Sequence, residues 1–403
     1  MSTTAPADRR LRLMLQVARM IHRGRLTIVL PDGARHVFDT GTGPEATFIV
    51  KDARAVRWLL TGGSLGLAEA YLEGLWDTPD LRAVMLMAAE NEAEWEKLLG
   101  GRPWMRALAR LQHLLRPNSR RGAKRNIVEH YDIGNEFYAG WLDPTMTYSS
   151  ALFSGENDTL EAAQLRKVHR MCQALELQPG MNVLEIGCGW GGFAEVAARD
   201  YGARVTGITL SPAQLAYGCA RMAAAGLAGQ VELLLQDYRD VRGTFERIAS
   251  IEMFEAVGEK YWPAFFTTVR ERLAPGGRAG LQVITIADRL FSTYQRSADF
   301  IQRHVFPGGM LPSPARLQQE ARRAGLAWSA ELWFGRDYAE TLARWQGRFQ
   351  AAWPRVAGAV RLQARPADDR FKRLWEYYLA YCETGFRAGW TDVGQIVLVR
   401  PAA

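Results

Sequence analysis

Apolar residues along this chain follow two spacings that take turns. Short runs dominated by Val, Ile and Leu at residues 182–186, 204–208, 231–235, 247–251 and 278–286 read as buried strands, and the stretches between them repeat apolar positions at helical spacing. Strand and helix in alternation predict an α/β fold with a parallel, doubly wound sheet. Ahead of it, residues 26–38 read as a hairpin around Pro31-Asp32-Gly33, residues 46–50 as a further strand, and residues 53–98 as mostly helical with a turn at Gly62-Gly63. That is a small α+β domain without a catalytic constellation. Beyond Arg289 come helices rich in Trp and Tyr (Trp333, Trp345, Trp353, Trp375, Tyr377, Tyr378, Tyr381) and a closing strand at residues 395–399. The aromatic set reads as core.

Arg116, Arg120, Arg121, Lys124 and Arg125 cluster around Pro117, Asn118 and Gly122, so residues 116–125 read as a basic linker between a domain at 1–115 and one at 126–403. A second basic cluster, Arg9, Arg10, Arg12, Arg19 and Arg23, interleaves with Leu11, Leu13, Met14, Leu15, Val17 and Ile21 as a short amphipathic helix of the kind that lies on a membrane. With a net charge of +7 and an isoelectric point near 9.3, the chain suits an anionic partner, either nucleic acid or an anionic membrane surface; a merely solvated Arg-rich surface is the plainer reading.

The 403 residues, 48% of them hydrophobic, suffice for a full core, and no apolar run reaches membrane-spanning length. Residues 1–10 carry no signal-peptide core, and Cys172, Cys188, Cys219 and Cys382 show no paired spacing, which points to reduced thiols and a cytoplasmic address. The six histidines are scattered, so no metal site is expected.

The sharpest signal is VLEIGCGWGGF at residues 183–193, a glycine-rich turn between an apolar strand and an alanine-rich helix. Gly187, Gly189 and Gly192 satisfy G-x-G-x-x-G, spacing that lets backbone approach a ligand and aims helix amides at an anion. A dinucleotide site wants an acid about 20 residues further on. The second strand instead runs into Thr209-Leu210-Ser211, while Glu185 precedes the first glycine and Gly191 adds to the loop. A carboxylate there suits a cofactor with an ammonium and a sulfonium, so S-adenosylmethionine is favoured over a nicotinamide or flavin.

Further blocks complete a resemblance to the cyclopropane-fatty-acyl-phospholipid synthase family. These are HYDIGNEFY at 130–138 with Trp141-Leu142-Asp143 and Met146-Thr147-Tyr148-Ser149, TLSPAQ at 209–214, QDYRD at 236–240 and FPGGMLP at 306–312. The likeness runs from about Arg125 to Val399. It implies a class I methyltransferase (Rossmann-like) fold, a homodimer, and a cytoplasmic protein peripheral at the inner face of the membrane. It further implies transfer of a one-carbon unit from S-adenosylmethionine to the double bond of an unsaturated phospholipid acyl chain, giving a cyclopropane. Cofactor contacts carried over are Tyr148, Ser149, Gly187, Gly189, Thr209, Leu210, Gln214 and Asp237, beside Glu185 and Gly191 from the loop itself.

A double bond that has taken up a methyl becomes a carbocation, and a base must then remove a proton. By the resemblance, a bicarbonate ion does this, cradled by Glu255, Tyr338 and main-chain groups beside Ser150 and Ile286, with aromatic faces able to steady the cation. Two family positions differ: Ser150 stands for a Cys, and Ile284 for a His that would hold the ion. The forms QVITI at 282–286 and SIEM at 250–253 look more like relatives that install methyl or methylene branches, which leaves the product open. Duller readings stand beside these: Glu255 as a surface helix residue, Tyr338 as a packed aromatic, Cys188 as a small core side chain and His130 as a structural histidine.

Two other classes compete. A nucleic-acid methyltransferase fits the charge and the cofactor loop, but neither an Asn/Asp-Pro-Pro-aromatic signature nor a paired catalytic Cys is present. A non-catalytic lipid-binding protein would have little use for intact Gly187, Gly189, Glu255 and Tyr338.

Overall fold

The structure is a computed structural model that describes residues 8–91, 133–296, 299–359 and 367–402. The basic linker at 116–125 and His130 lie outside the described residues.

The N-terminal part forms a four-stranded sheet of β1 (Arg25–Val29), β2 (Arg35–Asp39), β3 (Glu45–Val50) and β4 (Trp76–Asp77), in the order β2-β1-β3-β4. The hairpin turns where the sequence places it, with Gly33 at φ 84° and the Asp32 carboxylate accepting from the Ala34 amide at 3.0 Å. The helix Arg54–Leu72 is interrupted at Gly63, whose φ of 58° and ψ of −141° are non-helical, as the Gly62-Gly63 pair predicts.

The helix Arg9–Ala18 is amphipathic, but its apolar face is not free. Leu11, Leu15 and Ala18, followed by Ile21, are buried in the main core, so most of the expected membrane-lying stripe is used internally, and the basic residues look outward with Leu13 and Met20. No helix among the described residues is long and apolar enough to cross a membrane.

The second sheet has β5 (Asn182–Ile186), β6 (Arg204–Thr209), β7 (Val231–Leu235), β8 (Phe245–Ile251), β9 (Leu273–Ile286), β10 (Ala327–Trp333) and β11 (Thr391–Val399), in the order β10-β11-β9-β8-β5-β6-β7. Strands β5 to β9 pair in parallel, as expected, and β11 and β10 extend the β9 edge antiparallel. Strand β10 escapes the sequence pattern, which set Trp333 among helices. Its residues are exposed or half-buried along their length, so no inside–outside alternation marks it.

The two sheets share buried side chains. A single buried cluster joins Leu26, Ile28 and Trp76 of the first sheet to Trp345, Phe349 and Trp375 of the C-terminal helices Gly335–Val356 and Asp369–Arg387. Arg373 sits 4.6 Å over the Tyr71 ring and bonds Asp77 at 2.8 Å, while Glu69 binds Arg303 at 2.9 Å. The aromatic helices are therefore mainly core, shared by both sheets. At their edge Tyr338, Tyr378 and Tyr381 reach a cavity.

Candidate active site

The chain order reverses between β5 and β8, and at such a switch point a doubly wound sheet opens a crevice at the carboxyl ends of its strands. Here the crevice is a cavity of about 510 Å³, running from the glycine loop after β5 to Ser64 beside the Gly63 kink and to Phe306, Tyr378 and Tyr381. One end is polar and the other apolar.

The polar end collects most of the expected cofactor residues. Tyr148, Ser149, Glu185, Gly187, Gly189, Thr209, Leu210 and Gln214 all line it. Gly187 and Gly189 have φ of 85° and 52°; a Cβ on Gly187 would strike Met253, whereas one on Gly189 would point into open space. Thr209 Oγ1 donates to Gln214 Oε1 at 2.8 Å and accepts from the Ser211 amide at 3.2 Å, which ties the loop after β6 to the helix Pro212–Ala224 that Ser211 caps. Gly191 and Asp237 do not line the cavity. Gly191 caps the helix Gly192–Tyr201 at φ 84° with its α-carbon towards Met222, and the Asp237 carboxylate is held by Arg239 at 2.5 and 2.8 Å.

Glu185 is buried, and its Oε2 has no hydrogen-bond partner. Burial pushes its pKa up to about 8, with Arg221 and Lys167 pulling back. An unpartnered buried carboxylate oxygen beside an open glycine fits an ammonium group, so the polar end suits the amino-acid moiety of S-adenosylmethionine.

Lys167 was missed by the sequence reading. It is fully buried on the helix Leu160–Ala174, lines the cavity, and donates to Ser149 Oγ at 2.6 Å; burial lowers its pKa to about 8 against the pull of Glu252, Asp143 and Glu185. Its signal was available: buried positions 160, 163, 164, 167, 168, 171 and 172 form one helical stripe, and the sequence puts a cation in the middle of it.

The reaction end departs from expectation. Tyr338 is buried and donates its hydroxyl to Glu252 Oε2 at 2.5 Å, not to Glu255, which accepts from the Ile284 amide instead. Glu252 Oε1 accepts from the Ser150 amide at 2.8 Å and from Gln282 Nε2 at 2.7 Å. Glu252 itself sits at φ 50° just past β8, a left-handed conformation that turns its side chain into the cavity. Two of the groups expected to cradle a bicarbonate ion, the Ser150 amide and the Tyr338 hydroxyl, are thus taken by the chain's own carboxylate. Ser150 Oγ turns away to the Ala151 carbonyl, 2.9 Å, so only its main chain serves the site.

Glu255 is no surface residue. Its Oε1 accepts from the Ile284 amide at 2.5 Å, Oε2 is buried without a partner, and burial together with the neighbouring Glu252 raises its pKa to about 8. Burial also raises Glu252, but Tyr338, Lys167, Ser150 and Gln282 all favour its ionised form. The two carboxyls are unequally placed: Glu252 has four neighbours that favour its charged form, whereas Glu255 has the Ile284 amide and an adjacent carboxyl that opposes its charge, an asymmetry of the kind that separates base from acid in paired-carboxylate sites. Ile284 and Ile286 complete the wall with apolar side chains.

Residues 118–396 match the family described as mycolic acid cyclopropane synthetase. The chain is 36% identical over 392 residues to tuberculostearic acid methyltransferase UfaA1 of Mycobacterium tuberculosis, covering 91% of this chain and 87% of that one. It is 37% identical over 364 residues to cyclopropane-fatty-acyl-phospholipid synthase of Escherichia coli, covering 89% of each. Among solved structures, mycolic acid cyclopropane synthase CmaA1 complexed with SAH and CTAB superposes with a TM-score of 0.62 at 31% identity, covering 68% of this chain and 98% of that one.

Proposed function

This chain belongs to the mycolic acid cyclopropane synthetase family and is an S-adenosylmethionine-dependent methyltransferase, and we propose that its acceptor is the double bond of an unsaturated acyl chain carried by a membrane phospholipid. The apolar arm of the cavity, with Ile284, Ile286, Phe306 and Tyr378, suits an acyl chain, and the two relatives named for fatty-acyl products support that class. When bound, S-adenosylmethionine supplies an electrophilic methyl group.

The observation that carries the mechanism is the Glu252 carboxylate in the bonds of Tyr338, Ser150 and Gln282. A carboxylate offers about four lone-pair positions. Three are used, and the one left on Oε2 can take the proton that the methylated chain must lose. A carboxylate steadied by three donors is a slow acceptor, which allows a hydride to move from the methylated carbon to its neighbour first. The cation is then tertiary, and loss of a proton from the new methyl to Glu252 gives a methylene branch. Methyl added and proton lost leave one CH2 unit in the product. Direct proton loss would close a cyclopropane of the same mass, the reading favoured by the likeness to the Escherichia coli enzyme.

The test is to incubate the purified protein with S-adenosylmethionine and vesicles of an unsaturated phosphatidylglycerol, and to examine the released acyl chains by mass spectrometry and NMR. A gain of one CH2 with vinylidene proton signals supports the branch. Ring methylene signals at high field would replace it with the cyclopropane. No gain in mass would overturn the acceptor.

A further inference from the structure

We infer that Arg170, outside the cavity, sets the orientation of the Glu252 carboxylate through a one-way chain of hydrogen bonds running through Gln395 and Gln282. The inference rests on the reading of Glu252 as the proton acceptor.

Gln395 on β11 and Gln282 on β9 are register partners in adjacent antiparallel strands, and both side chains are buried. Arg170 Nη1 donates to Gln395 Oε1 at 2.6 Å; Gln395 Nε2 donates to Gln282 Oε1 at 3.0 Å; Gln282 Nε2 donates to Glu252 Oε1 at 2.7 Å. The Gln395 amide also donates to the Lys167 carbonyl at 3.1 Å.

Direction follows from the two ends. A guanidinium can only donate and an ionised carboxylate can only accept, whereas an amide placed between them can present either side. With Arg170 at one end, Gln395 must turn its oxygen outward and its NH2 inward. Gln282 must then do the same, and its NH2 arrives at Glu252. The Lys167 carbonyl on Gln395 and the Ser150 carbonyl on Gln282, 3.4 Å, favour the same sense, so loss of the guanidinium loosens the chain at Gln395 Oε1 rather than freeing it. Whenever the Gln282 amide turns, its carbonyl faces the carboxylate, and the charged form loses a donor and gains a repelling dipole.

None of Arg170, Gln395 and Gln282 lines the cavity, so they are positioning residues. The other titratable groups that face Glu252 are Tyr338 from the helix Gly335–Val356, Lys167 from the helix Leu160–Ala174 and Glu255 from the turn after β8. Arg170 leaves all three in place. Its removal is therefore read through Gln282 alone.

The experiment measures turnover on unsaturated phosphatidylglycerol vesicles against pH, together with S-adenosylmethionine affinity, for the full chain and four variants. Turnover needs ionised Glu252 and is lost as pH falls through its pKa. Losing the Gln282 donor raises that pKa, so Arg170→Met is expected to move the acidic limb upward by about one pH unit and to cut turnover about tenfold on the acid side of that limb and less at neutral pH, with cofactor affinity changed less than about twofold. Arg170→Lys, also a pure donor, should restore most of the loss. Gln395→Glu decides the matter if Arg170→Met does not fold: it keeps an acceptor for Arg170 but cannot donate to Gln282, and should give the same shift. An unmoved limb in Arg170→Met or Gln395→Glu, or no recovery with Arg170→Lys, overturns the relay. Glu252→Gln separates the two levels: if it retains wild-type turnover, the acceptor reading fails, and if it is inactive while the limb stays put in the other variants, only the relay fails.

Discussion

Lys167 donates to Ser149 Oγ at 2.6 Å with both side chains buried, and so places a positive charge between the cofactor-side Glu185 and the reaction-side Glu252. Lys167→Met keeps the length of the side chain and removes the charge. Glu185 then loses an ionising neighbour and is more fully protonated at neutral pH. Cofactor affinity is expected to fall about tenfold, and turnover with it. Calorimetry of a folded Lys167→Met variant checks this, and wild-type affinity would remove Lys167 from the site.

Glu185 also predicts a pH dependence. Its folded-state pKa is raised from 4.5 to about 8, so the folded protein holds a proton that the unfolded chain has released, and apoprotein stability declines as pH rises from about 4.5 to 8. Glu255, also raised to about 8, adds in the same direction. Binding of a ligand ammonium runs the other way, since it needs the ionised form. S-adenosylhomocysteine affinity should rise between pH 6 and 8, and in Glu185→Gln it should be weak and flat across that range. A pH-dependence that survives Glu185→Gln would assign it to another group.

At Gly189 the space a Cβ would enter is empty, whereas at Gly187 it is filled by Met253. Gly189→Val therefore puts a branched side chain into the cavity and strains a backbone at φ 52°. Cofactor binding should fall by more than about a hundredfold, judged against ~3 kcal/mol for blocked contact and strain together. Unchanged affinity in a folded Gly189→Val protein would mean that the cofactor lies elsewhere.

The sheet was legible because strands β5 to β9 are apolar runs set between helical periods, and the glycine loop because its spacing reports a backbone requirement. Glu185, Tyr148, Ser149, Thr209 and Gln214 followed from motifs and fell in the cavity. What stayed hidden depends on pairing across distant elements. Nothing local shows that Tyr338 bonds Glu252, 86 positions away, in preference to Glu255, or that Gln282 and Gln395 meet across β9 and β11. The helix Arg9–Ala18 misled for a related reason: an apolar stripe states that something covers it, and here the cover is the protein's own core.

That covered stripe shapes the membrane prediction. Arg9, Arg12 and Arg19 are exposed, and only Leu13 and Met20 remain as large apolar groups on the same segment. Attraction to anionic head groups, about 1 kcal/mol for each basic residue near the surface, should then dominate insertion. Vesicle binding is expected to rise with anionic lipid content, fall with salt, and weaken when the three arginines are changed to Glu. Equal binding to neutral and anionic vesicles would reduce the cluster to a solvated face.

The two carboxylates of the reaction end should respond differently to the same change. With Glu252 as the proposed proton acceptor, its charged form supplies the lone pair, so Glu252→Gln should cut turnover by at least about a hundredfold while cofactor affinity stays near wild type. Glu255 is held at about 8, and at neutral pH its neutral form is close in shape and charge to glutamine. Glu255→Gln should therefore be mild below pH 8, and its effect should grow above it, where the wild-type side chain ionises beside Glu252 and the variant cannot. Tyr338→Phe removes one of three donors from Glu252 and frees a second lone pair on Oε2. Proton removal becomes less selective, and the ratio of ring to branch in the product should shift even where total turnover changes only several-fold. Equal, large losses in Glu252→Gln and Glu255→Gln at pH 7 would show that both carboxylates move protons, and an unchanged product ratio in Tyr338→Phe would remove Tyr338 from the choice between them.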